Sequence, residues 1–167
     1  MFYRLIEKLD SKVTFGTASA HCDIPCKIYD PISAQIAVLT MIRLVDLIKD
    51  LEGKMPFNLD QQAEFLRLVA QKELHGSKVK EEISVIWGDY IKEPQLETFP
   101  ELHRLVHNIM METSKAKQQV DKEITLSLLA KVNRFADIFW QSKGQSTFVA
   151  QCPYPPEQPV VYPMLNS

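Results

Sequence analysis

Apolar residues recur at helical spacing through four stretches of the chain. Ile32, Ile36, Leu39, Ile42, Val45 and Ile48 place a side chain on one face at nearly every turn, until "EGKMP" (52–56) ends the pattern. Asp30 and Pro31 stand ahead of it as N-cap and first helical residue. A second stripe runs through Phe65, Val69, Val79, Ile83, Ile86 and Tyr90, with Asn58 or Asp60 able to cap it and Gly76 on the stripe as a kink or a point of close packing. "KEPQLETFP" (92–100) reads as a turn-rich connection. Thr98-Phe-Pro-Glu101 then has the form of a capping box opening a third helix, whose face is Leu102, Leu105, Val106, Ile109 and Met110. The polar stretch "TSKAKQQ" (113–119) reads as its connection to a fourth helix, from Asp121 through Leu128, Val132, Phe135 and Phe139 to Lys143-Gly144.

Four amphipathic helices with short connections predict an all-α fold, an antiparallel four-helix bundle over residues 31–144. Residues 145–167 carry five of the ten prolines and predict an extended C-terminal tail, lying across the surface or a neighbouring subunit. Composition changes this picture little. The chain has 167 residues, 46% apolar and 24% charged, enough for one domain with a sizeable core. A formal charge of −2 gives no basic field for nucleic acid, and no apolar run is long enough to span a membrane.

The candidate chemistry lies ahead of the first helix, in "SAHCDIPCKIYDP" (19–31). Two of only three cysteines, Cys22 and Cys26, fall within six positions of His21, just after the small-residue tripeptide Ala18-Ser19-Ala20. The odd cysteine count argues against a closed disulfide framework. Residues 1–20 lack the apolar core of a secretory peptide, because Arg4, Glu7, Lys8, Asp10 and Lys12 interrupt every candidate run. They are expected to be a propeptide removed inside the cell, by cleavage after Ala20. Removal takes away three basic and two acidic residues and leaves a formal charge of −3.

Cleavage would free the amine of His21. That amine, the Cys22 amide nitrogen, the two thiolates and the His21 imidazole would then converge within residues 21–30. Amine and amide of consecutive residues chelate one ion, and two nitrogens with two sulfurs favour a tetragonal ion such as Ni(II) or Cu(II). Amide coordination suits nickel and not zinc. Anionic donors with an added imidazole stabilise Ni(III), so the ion could take an electron from one superoxide and give one to another. The competing expectation is a non-catalytic helical module holding structural zinc or sensing redox state. Zinc wants four tetrahedral ligands, and this segment offers three side chains.

"HCDIPCKIYDP" resembles the metal hook of the nickel-containing superoxide dismutases, His-Cys-x-x-Pro-Cys-x-x-Tyr at a processed N-terminus. "SVIWGDYIKEP" (84–94), "PELHRLV" (100–106) and "IFW" (138–140) extend the resemblance over most of residues 21–143. It implies a cytoplasmic homohexamer of four-helix bundles with one nickel ion per subunit, superoxide as substrate and a maturation protease as partner. It implies His21, Cys22 and Cys26 as metal ligands, Asp23 and a cis Pro25 shaping the hook, and Tyr29 and Tyr90 flanking the open face. Asp89 and Lys92 match residues around the second tyrosine, with Lys92 a candidate for attracting the anion. Two positions depart from the family. Ala37 stands where the family has a glutamate that holds the imidazole, and His75 stands where it has an arginine, which makes His75 a candidate replacement. Lys27 replaces a small residue in the hook loop. Cys152 reads as a spare thiol, Trp87 and Trp140 as buried anchors, and His103 and His107 as surface or interface residues.

Overall fold

The computed structural model describes residues 27–165. The expectations for His21, Cys22, Asp23, Pro25 and Cys26, and for cleavage after Ala20, lie outside the described residues. The described chain is mainly helical. Its elements are α1 (Ile32–Glu52), α2 (Leu59–Val85), a π turn (Ile86–Tyr90), α3 (Glu93–Thr98), α4 (Leu102–Gln118), α5 (Lys122–Ser142), β1 (Thr147–Gln151) and β2 (Pro159–Pro163).

The helix starts follow side-chain chemistry. Asp30 Oδ1 accepts from the amide of Ile32 at 2.8 Å, so Asp30 caps the end that Pro31 opens. Asn58 and Gln61 exchange reciprocal bonds of 2.9 and 3.0 Å at the start of α2. Asp121 accepts from the amides of Glu123 and Ile124 at the start of α5. The capping box expected at Thr98 does not form. Thr98 closes α3, and its hydroxyl donates to the Pro94 carbonyl at 2.8 Å.

The four long helices pack as a ring, α1 on α2, α2 on α4, α4 on α5 and α5 on α1. Val38, Ile42, Val79, Ile83, Ile109, Leu128, Val132, Phe135 and Phe139 are fully buried in the shared core. Each helix alone would be marginal in water; burying a large apolar side chain contributes roughly 1.5–3 kcal/mol. Gly76 serves close packing within an unbroken α2. A Cβ there would fall 2.4 Å from Lys117 Cγ and 3.3 Å from Met41 Cε.

"TSKAKQQ" is not a loop. α4 runs through it to Gln118, because Thr113 and Ala116 are buried and a lysine from another helix receives its end. Lys72 of α2 is 1% exposed, and its ammonium donates to the carbonyls of Ala116 (2.7 Å), Lys117 and Gln119 (3.1 Å). Burial pushes Lys72 below the ordinary lysine value, and Lys117 adds to this while Glu73 opposes it. The last carbonyls of a helix need partners, and here one cation serves three.

The chain after Gly144 folds back as an antiparallel pair, Thr147 opposite Pro163 and Gln151 opposite Pro159. Gly144, at φ +74, makes the turn that ends α5. A two-stranded sheet is marginal alone, and this one leans on α5. Gln35 of α1, 1% exposed, donates to Asn133 Oδ1 (2.9 Å) and to the Val161 carbonyl (3.0 Å). Asn133 of α5 donates to the Pro159 carbonyl (2.9 Å) and accepts from the Val161 amide (3.3 Å). Thr147 donates to Asp137 at 2.7 Å. Arg134 binds both Asp137 (2.6 Å) and Glu101 (2.7 Å), joining α5 to the start of α4.

Three outcomes follow. Lys72→Met strands the carbonyls at the end of α4 and should cost about 3 kcal/mol, lowering the thermal midpoint by roughly 6–12 °C in calorimetry. Asn133→Ala leaves the Val161 amide without its partner. It should cost about 1–3 kcal/mol and raise hydrogen exchange in β2 more than in α2. The third concerns acid. The Arg134 hydrogen bond holds Glu101 below the usual carboxylate range. Burial opposes the same effect at Asp137, but hydrogen bonds from Thr147, Gln141 and Arg134 outweigh it. A carboxylate lowered on folding stabilises above its unfolded value, about 4, and that stability is lost as pH falls through the folded value. The slope of unfolding free energy against pH below about pH 4 should therefore be shallower in Arg134→Gln than in the parent.

Candidate metal centre

Among the described residues no group of three His, Cys, Asp or Glu side chains is placed to hold a metal ion. The candidate donors His21, Cys22 and Cys26 precede them in sequence. The described residues give the surface from which that segment departs.

The departure point is anchored within five residues. Pro31 is buried, Asp30 caps α1, and the Tyr29 ring lies 6.0 Å from the Tyr90 ring at an interplanar angle of 48°. Lys27 has φ +58, a left-handed conformation that favours glycine. Ile28, Tyr29, Asp30, Ser33, Glu82 and Ile86 line a cleft of about 210 Å³ beside this anchor.

Tyr90 owes its position to the π turn. The Ile91 amide donates to the Ile86 carbonyl at 3.2 Å, which widens the last turn after α2. The Tyr90 ring packs 4.9 Å from Phe139. Ser142 spends its one proton on the Phe139 carbonyl at 2.7 Å, so the Tyr90 hydroxyl, 2.8 Å away, donates to Ser142 Oγ. The Lys143 ammonium stands 4.9 Å from the Tyr90 ring centre and 5.0 Å from that of Phe139. Tyr29 and Tyr90, far apart in sequence, are thus brought together, and their neighbours on α5 are Phe139, Ser142 and Lys143. Ser142 and Lys143 were not among the sequence candidates. The available signal was the i, i+4 spacing of Phe139 and Lys143, which sets a cation over an aromatic ring on one helix face.

The other sequence candidates fall as follows. The Lys92 ammonium donates to the Gly88 carbonyl at 3.0 Å, closing the π turn. Ala37 and His75 line one cleft of about 420 Å³ between α1 and α2, together with Ser33, Lys78, Glu81 and Glu82. Ser33 and Glu82 also line the cleft beside Tyr29. His75 Nδ1 lies 2.9 Å from the Gln71 carbonyl, so that nitrogen donates there, and in the neutral form of the ring Nε2 would be the acceptor. Trp87 is not a buried anchor. It is 38% exposed, and its Nε1 donates to His103 Nδ1 at 3.1 Å, which gives His103 a partner. Trp87 lies beside, not on, the stripe of Ile83, Ile86 and Tyr90, and the π turn presents it to the surface. A cavity of about 460 Å³ at the far end of α1, walled by Ile48, Phe57, Phe65 and Val120, carries none of the candidate chemistry.

The comparisons with known proteins bear on the same segments. The sequence model of the nickel-containing superoxide dismutases matches residues 16–143. A superoxide dismutase [Ni] of Streptomyces coelicolor is 35% identical over 127 residues, 76% of this chain and 91% of the relative. One from Streptomyces seoulensis is 34% identical over 125 residues, 75% and 89% of the two chains. A crystal structure of a Ni-containing superoxide dismutase in the oxidised state superposes with a TM-score of 0.66 at 31% identity, covering 74% of this chain and 99% of that one. A native structure gives 0.64 at the same identity and coverage. The zinc-binding or redox-sensing helical module is not favoured by these likenesses. The chain belongs to the nickel-containing superoxide dismutases, oxidoreductases with nickel as cofactor and superoxide as substrate.

Proposed function

We propose that the chain becomes active by cleavage after Ala20 by a maturation protease, and that residues 21–30 then form the catalytic hook. The observation that carries this reading is the contact between Tyr29 and Tyr90 at 6.0 Å. Cys26 is three residues from Tyr29, so the hook begins at the mouth formed by the two rings. The donor set fits nickel: a neutral free amine joins a deprotonated main-chain amide and two thiolates, whose negative charge favours the higher oxidation state, and the His21 imidazole adds a fifth donor.

His21, Cys22 and Cys26 would hold one ion per subunit, which supplies one-electron exchange between its two oxidation states. Asp23 and Pro25 would fix the path of the hook. Two superoxide anions and two protons give one dioxygen and one hydrogen peroxide, one anion losing the electron that the other gains. Tyr29 and Tyr90 bound the approach and limit it to small species. The hydrogen bond from the Tyr90 hydroxyl to Ser142 fixes the ring's orientation. His75 offers an acceptor, Nε2, to the outer N–H of the His21 imidazole, the role a partner must fill to orient a ligating histidine.

The wider reading is a cytoplasmic homohexamer of antiparallel four-helix bundles. The ring of four packed helices and the relatives' family support it. No helix among the described residues is long and apolar enough to cross a membrane.

Active protein should begin at His21 by mass spectrometry and carry about one nickel per chain by elemental analysis. Cys22→Ser, Cys26→Ser and a cleavage-resistant Ala20 variant should lose dismutase activity by at least about 10³-fold while keeping parent helicity by circular dichroism. The donors precede every helical stripe in sequence, so the helices are expected to form without them. Full activity in protein that starts at Met1, or in nickel-free protein, is the result that sinks this reading.

A further inference from the structure

We propose that Lys143 is the anion-recruiting residue of the site and positions the tyrosine pair at its mouth. The proposal rests on the reading that Tyr29 and Tyr90 border the hook.

Three observations carry it. The Lys143 ammonium lies against the Tyr90 and Phe139 rings, 4.9 and 5.0 Å from their centres. Its neighbour Ser142 accepts a hydrogen bond from the Tyr90 hydroxyl at 2.8 Å, so two consecutive residues at the end of α5 hold one tyrosine, one at its hydroxyl and one at its ring. And among the described residues no carboxylate pairs with Lys143, whereas Lys92, the other lysine near Tyr90 in sequence, has its ammonium on the Gly88 carbonyl. Lys143 is exposed, so its charge faces water at the mouth.

The chain needs such a charge. Its formal charge is −2 and its substrate is an anion, so the net field does not draw superoxide in. At 0.1 M salt charges further than about 10 Å are screened, so only a cation close to the mouth acts on approach. Gly144, at φ +74, ends α5 immediately after Lys143, which holds the lysine at the helix end.

The test uses the mature, nickel-loaded enzyme and Lys143→Met, Lys143→Arg and Lys143→Glu. At low ionic strength kcat/KM for superoxide should fall about two- to fivefold in Lys143→Met and further in Lys143→Glu, with Lys143→Arg near the parent. The decline of kcat/KM with added salt should be steep in the parent and shallow in Lys143→Met, with nickel content unchanged. A purely structural role would not alter the salt slope. The second readout is metal-free protein titrated with azide, a small anion. The Tyr90 ring protons should shift in NMR spectra of the parent and not in those of Lys143→Met. Equal salt slopes and equal azide shifts in parent and Lys143→Met overturn the proposal. Azide shifts lost in Lys143→Met, alongside full activity in Cys26→Ser, would uphold the anion site and reject the hook as the catalytic centre.

Discussion

The proposed metal ligands lie in sequence just ahead of the first helix, and everything depends on where the chain is fastened there. Here the fastening is the short run Tyr29-Asp30-Pro31. Asp30 ties its carboxylate to the Ile32 amide, Pro31 is buried, and Tyr29 meets Tyr90. Fixing a backbone residue costs about 1–2 kcal/mol of entropy, so a short, well-bonded anchor is the economical way to place a segment of few residues. The helices beyond it present a rigid wall from three elements: the start of α1, the π turn after α2, and the end of α5.

The wall is polar where the core is not. The ring contact of Tyr90 with Phe139 reaches into the fully buried core, while its hydroxyl reaches Ser142 and its face meets Lys143. An aromatic ring with a polar tip can join an apolar interior to a wet mouth. The π turn carries the chain from the core to this mouth: Ile86 is buried, Tyr90 is half-buried, and Trp87 is exposed.

The helices were legible in the sequence because their causes are local. The stripes Ile32–Ile48 and Leu128–Phe139 and the caps Asn58 and Asp121 need only neighbours within a turn or two. What the sequence concealed has tertiary causes. "TSKAKQQ" continues α4 because Lys72, more than forty residues earlier, receives its carbonyls. The strands after Gly144 form because Gln35 and Asn133, on two different helices, supply partners for Val161. The candidate metal ligands were legible for the opposite reason. A histidine and two cysteines at fixed spacing carry their chemistry in their atoms, whatever fold follows, and the comparisons then supply the family. Ser142 and Lys143 are common residues at a helix end, and only the approach of Tyr90 gives them a role.

The hairpin raises a question of chemical compatibility. The family match ends at residue 143, and the strands follow it. They bring a third cysteine into a chain whose proposed ligands include two thiolates. A free, accessible thiol would compete for metal and exchange with oxidised neighbours. Cys152 is 1% exposed, and its Sγ donates to the Tyr154 carbonyl at 3.3 Å. At that burial the sulfur is closed to an approaching metal ion. So the same packing that ties β2 to α5 also withholds the extra sulfur from nickel, and the hairpin can be added to the helical scaffold without adding a rival ligand.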